Sequence, residues 1–125
     1  MKIYQTRWFA RWANKEGLKH QALIDAVSEI EQGLVDAHLG NNLVKKRVGI
    51  GGRGKSGGLR TILAFRIKQR AFFLYGFAKN QRDNISDKEL QALKKMASHF
   101  IAYDDKAIEM AIEADELVEV INDET

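Results

Sequence analysis

The sequence predicts an α+β fold: a central antiparallel β-sheet with an N-terminal αα-hairpin packed on it and a C-terminal helix. Three observations carry this. Leu23, Ala26, Val27, Ile30 and Leu34 recur at the spacing of an amphipathic helix. Two β-type runs, TILAF (61–65) and AFFLYGF (71–77), come next, separated by a short connection. Ser86-Asp87-Lys88-Glu89 is then a capping box, S-x-x-E, in front of a second helical stripe.

In chain order, Lys2 to Gln5 reads as a short first strand. Trp8, Phe9 and Trp12 fall on one side of a first helix that Gly17 ends. Such large apolar area is expected mainly in the core, with base stacking flanked by Arg7 and Arg11 as its second use. Residues 36–42 read as a turn punctuated by Gly40-Asn41-Asn42. In a strand from Leu43 to Val48, alternation puts Leu43, Lys45 and Arg47 on one face and Val44, Lys46 and Val48 on the other. Residues 49–58 hold six glycines and read as a loop. The strand Leu59–Ile67 places Arg60, Ile62, Ala64 and Arg66 opposite Thr61, Leu63 and Phe65. Lys68-Gln69 turns tightly into Arg70–Ala78, whose nearly continuous apolar character suits a central strand with Ala71, Phe73, Tyr75 and Phe77 as one set. The helix after Ser86 points Leu90, Leu93, Ala97, Phe100 and Ile101 inward. Asp104 and Asp105 start a short fourth helix with Ile108, Ala111 and Ile112 inward, and Leu117–Ile121 closes as a strand. Residues 1–125 are expected to form a single domain, with 103–125 as an acidic C-terminal extension, helix then strand.

Charge is distributed unevenly. Residues 1–102 carry 19 Lys or Arg against 8 Asp or Glu, whereas residues 103–125 carry one Lys against 9 acids. Eleven cations lie between Leu43 and Arg82, and no acid occurs from residue 37 to residue 82. A solubilising surface would mix the signs, so this stretch points to an extended anion, of which a nucleic acid backbone is the commonest. The acidic extension is a candidate to lie over the basic face or keep other partners off it.

Several function classes drop out. Without cysteine there is neither a disulfide framework nor thiol chemistry. The first residues, MKIYQTRW, lack the apolar core of a signal peptide, and no apolar run approaches membrane-spanning length, so a cytoplasmic protein without membrane partners is expected. Gly49-Ile50-Gly51-Gly52-Arg53-Gly54-Lys55-Ser56 matches G-x-x-x-x-G-K-[ST]. That motif must open a helix, yet here it runs into Gly57-Gly58 and a β-rich segment. No nucleotide cofactor is expected. His20, His38 and His99 are scattered and the basic region offers no carboxylate, so no metal is expected either.

Cation chemistry remains. Lys45, Arg47 and Arg60 share a face if their strands pair as antiparallel neighbours, with Lys79 at the end of the next strand and Arg53 and Lys55 overhanging from the loop. Crowded cations favour a neutral lysine able to accept a proton, and arginines stabilise the charge of a pentavalent phosphorane. Such a set can cleave RNA through its 2′-OH without a metal, or simply bind it.

The run LVKKRV, the glycine-rich basic loop, SGGLRTILAF, AFFLYGFAKN and the capped helix together resemble the RelE/HigB superfamily of bacterial toxins. The K-S-G-G-x-R and Y-G-x-x-K-N segments are closest to its HigB-like branch. The resemblance covers roughly residues 20–102. It implies a small RelE-like α+β sandwich and the toxin half of a type II toxin–antitoxin pair. It also implies cleavage of mRNA on the ribosome as a metal-independent endoribonuclease, blocked by a cognate antitoxin. The family's catalytic cations fall on Lys45, Arg47, Arg60 and Lys79, with Arg53, Lys55 and Arg82 as RNA-binding candidates. Where RelE has a further arginine this chain has Asn80, and where it has a tyrosine near the final helix this chain has Ser86. Two rival readings are a ParE-like toxin that poisons DNA gyrase and a non-catalytic nucleic-acid-binding module. Arg60 is expected to be exposed, so that its loss would spare the fold.

Overall fold

A computed structural model describes residues 1–49 and 58–121. The chain runs β1 (Lys2–Thr6), α1 (Arg7–Lys15), α2 (His20–Glu31), β2 (Ala37–Gly40), β3 (Leu43–Val48), β4 (Leu59–Arg66), β5 (Arg70–Ala78), α3 (Asp87–Ile101), α4 (Asp105–Glu113) and β6 (Leu117–Glu119). The strands form one sheet in the order β2-β3-β4-β5-β1-β6. The architecture is α+β, as expected, and every strand pair is antiparallel except β1 with β5.

Local chemistry explains the helix starts. Thr6 accepts a hydrogen bond from the Phe9 amide at 3.1 Å, so β1 passes directly into α1. Ser86 and Glu89 form the reciprocal capping box at 3.2 and 2.8 Å. Asp104 caps α4 through the Ala107 amide at 2.8 Å. Gly17, at φ +77, lets the chain leave α1 where a side chain would be strained.

The sheet buries both faces. Phe9, Leu23, Val27 and Ile30 of the N-terminal helices pack on Val44, Leu63 and Phe73. Leu93, Ala97, Phe100 and Ile108 of the C-terminal helices pack on Ile62, Ala64, Phe72 and Leu74. Burying a sheet on both sides explains why β4 and β5 carry so few polar residues.

Four expectations need correction. Residues 36–42 are not only a turn: Ala37–Gly40 form strand β2, and Asn41 and Asn42, at φ 52 and 64, make the tight hairpin into β3. Leu34 is not on the stripe of α2; it lies beyond Gly33 and is 54% exposed. Ala71, Phe73, Tyr75 and Phe77 are not one set, because the register against β4 shifts between Ile62 and Leu63. That bulge leaves Ala71 and Phe73 with the N-terminal helices and turns Tyr75 and Phe77 to the other face. Finally, the described part of the acidic extension meets the basic stretch only at its edge: Asp105 pairs with Arg70 of β5, and none of its described acids pairs with a cation of β3 or β4. β6 pairs with β1 at the far edge of the sheet from β3.

Candidate functional site

β3 and β4 bring the expected cations together. Arg47 is the cross-strand partner of Arg60, and Lys45 that of Ile62, so Lys45, Arg47 and Arg60 project from the same sheet face. Gly58 holds this register. A Cβ there would sit 2.4 Å from the Val48 carbonyl oxygen, closer than any side chain permits. On the other side of β4, Arg60 faces Phe77 of β5. The chain then exits β5 through Lys79, which is exposed. Arg53 and Lys55 lie outside the described residues. The helix demanded by the nucleotide-binding motif would have to run on through residues 59–66, and these form strand β4.

The cations on and around this sheet differ in how they are balanced. Lys46 points the other way, toward α2, where it is 6% exposed and pairs with Glu29 at 2.8 Å. Arg47 is drawn to the β2 side by Asp36, which accepts from its Nε at 3.0 Å and from its backbone amide. That contact relieves the like-charge repulsion of two arginines directly opposite each other. Arg70, at the other end of β5, pairs with Asp105.

Arg82, expected among the RNA contacts, has its donors engaged. Nη1 and Nη2 donate to the Glu89 carboxylate at 3.0 and 2.6 Å, Nε and Nη2 to the Asn84 carbonyl, and Nη1 to the Tyr75 hydroxyl at 3.3 Å. Its guanidinium also lies 5.7 Å from the centre of the Phe77 ring. The pair holds the Glu89 carboxyl down at about 2, chiefly through the Arg82 hydrogen bond, and raises the Arg82 pKa in return.

Arg60 stands apart. It is 8% exposed, not exposed as expected, and its Nη1 is buried with no hydrogen-bond partner among the described residues. No described acid pairs with Arg60, Lys45 or Lys79. A guanidinium cannot shed its proton to escape burial, so an uncompensated one is held at a cost that an incoming anion would relieve. Phosphate oxygens fit that fork. No group of acids, histidines or cysteines able to hold a metal occurs among the described residues.

Sequence reasoning missed Tyr75. Strict alternation put Tyr75 and Phe77 in one set with Phe73, and only the bulge turns both of them to the face of Arg60. The signal was faint: an apolar strand with a glycine at residue 76. A Cβ on Gly76 would lie 2.2 Å from the Trp12 ring, so that glycine is where α1 seats on β5.

The chain matches the family described as the RelE toxin of the RelE / RelB toxin–antitoxin system, over residues 1–120. No curated protein matches it.

Proposed function

This chain belongs to the RelE toxin family, and on that premise we propose that it is a ribosome-dependent mRNA endoribonuclease that inhibits translation and is neutralised by a cognate antitoxin. The observation that supports the reading is Arg60: a buried guanidinium whose Nη1 has no partner among the described residues, on the face that Lys45 shares, where neither Lys45 nor Arg60 pairs with a described acid.

In the proposed reaction the 2′-oxygen attacks the adjacent phosphorus, forming the P–O2′ bond as the P–O5′ bond breaks. The 2′-hydroxyl proton passes to Lys79, the candidate acceptor, and the departing 5′-oxygen takes up a proton from water. The products are a 2′,3′-cyclic phosphate and a 5′-hydroxyl. Arg60 holds the non-bridging oxygens as their charge grows, a role that suits a permanently charged fork. Lys45 and Arg47 line the same face and add positive potential. Arg53 and Lys55 are assigned to flanking phosphates, where glycine-rich backbone lets RNA approach closely. Arg82, already balanced by Glu89, is assigned the support of Tyr75 and Phe77. No metal or other cofactor is part of this scheme.

Expression of the protein alone tests it. Growth should stop, mRNA should be cut in translated regions, and a co-expressed antitoxin should restore growth. A 2′-deoxy nucleotide at the cut position should block cleavage. Arrest with intact mRNA and an induced DNA-damage response would instead favour gyrase poisoning. Unimpaired growth at high expression would remove the toxin reading.

A further inference from the structure

One exposed aromatic lies outside the cationic cluster around Arg60. Trp8 keeps 48% of its surface exposed, while Phe9 beside it is fully buried. A single exposed tryptophan is ordinary by itself; the setting of this one is specific. Its indole stacks on Tyr75 with 4.7 Å between centroids and 17° between planes, and lies 6.2 Å and 9° from Trp12. Trp12 is seated over Gly76. The ring is therefore held in place before any ligand arrives.

The bulge in β5 turns Tyr75 and Phe77 together to the face of Arg60, 6.5 Å apart between centroids, and Phe77 is the cross-strand neighbour of Arg60. The rings make a ladder from the neighbour of Arg60 to the place where β1 gives way to α1. Cations accompany it. Arg7, Arg11 and Lys15 recur at i, i+4 and i+8 along α1, all exposed, and none has an acidic partner among the described residues. α1 carries no acid at all. A protein partner seeks contiguous apolar area, whereas a pre-stacked ring amid unpaired cations matches single-stranded RNA, which offers bases to stack and phosphates to neutralise.

We propose that Trp8, braced by Tyr75 and Trp12 and flanked by Arg7 and Arg11, is the stacking platform for an unpaired base of the RNA whose phosphate is held at Arg60. This rests on the ribonuclease reading and adds to it a contact that positions the substrate. Because stacking tolerates every base, the platform contributes affinity rather than sequence preference.

The full-length protein is titrated with a single-stranded 2′-methoxy RNA oligonucleotide, which it cannot cleave, and with the same oligonucleotide carrying abasic residues. Trp8→Leu should weaken binding to the first by on the order of tenfold and leave binding to the second unchanged. Trp8→Phe should recover most of the loss, which a misfolded variant would not. Tryptophan fluorescence of the wild type should be quenched by the first oligonucleotide, and this quench should vanish in Trp8→Leu. In ribosome-dependent cleavage, Trp8→Leu should raise KM more than it lowers kcat. Equal affinity of wild type and Trp8→Leu for both oligonucleotides, or equal weakening toward both, overturns the platform. Trp8→Leu that binds RNA normally but resists antitoxin rescue also overturns it, in favour of a protein-docking surface. If base-dependent binding holds and the wild type cuts no RNA, it is the ribonuclease reading that fails.

Discussion

Arg60 and Arg82 both neighbour Phe77, the first as its cross-strand partner and the second over its ring, yet they live in opposite electrostatic conditions. Arg82 is exposed enough to be hydrated and still has a carboxylate, a carbonyl and a phenol around it. Arg60 is nearly enclosed and has no acidic partner among the described residues. Stability alone would place the counter-charge where water is excluded, since the burial penalty falls there. The reversal teaches that the balanced arginine fastens the loop to α3, while the unbalanced one is a buried charge that the proposed phosphate contact would neutralise.

The largest expected effect comes from that contrast. Arg60→Ala should lower ribosome-dependent cleavage by roughly a hundredfold or more, the scale for losing one transition-state donor. Arg60→Lys should recover only part, because an ammonium lacks the fork. The sharper version is Arg60→Met, which keeps the volume and removes the buried charge. It should abolish cleavage while the melting temperature holds or rises. A large drop in melting temperature would show Arg60 to be a structural residue and dissolve the comparison.

Glu89→Gln probes the balanced arginine. A glutamine can still serve at the third helical position of the capping box, so the change removes mainly the charge pair. The expected loss is about 1 kcal/mol or less, since the pair is partly solvated, read from denaturant midpoints. Cleavage should change little. The effect has a defined pH window. With its carboxyl lowered from 4.5 to about 2, Glu89 stabilises the fold fully above pH 4.5, and this contribution fades as pH falls toward 2. The difference between wild type and Glu89→Gln should shrink over that range.

The smallest effect asks by salt whether Arg82 is a phosphate contact. Each phosphate contact adds close to one unit to the slope of log affinity against log salt. Lys55→Ala should lower that slope by about one with little change in sequence preference. Arg82→Ala should leave the slope unchanged, because Glu89 already neutralises it. A slope that falls with Arg82→Ala would mean that RNA displaces Glu89 and that both arginines bind.

Much of this was legible in the chain. The shared face of Lys45, Arg47 and Arg60 comes from alternation once β3 and β4 pair as a hairpin, and the observed register agrees. The capping box at Ser86 and the cap at Asp104 come from residue type and spacing. The misses have a common cause. Asp36 as partner of Arg47, Glu89 as partner of Arg82, and the turn of Tyr75 and Phe77 to the face of Arg60 each depend on how a second element pairs or packs.

The sequence by itself determined the periodicities, the caps, the turns and a basic segment without acids, because these depend on neighbours within a few residues. Only the tertiary structure decided which cations stay unbalanced, which side of the bulge Tyr75 faces, and how deep Arg60 sits. Those are properties of packing: a one-residue bulge reverses the side of every residue beyond it, and burial is set by α-helices and strands that meet from distant parts of the chain.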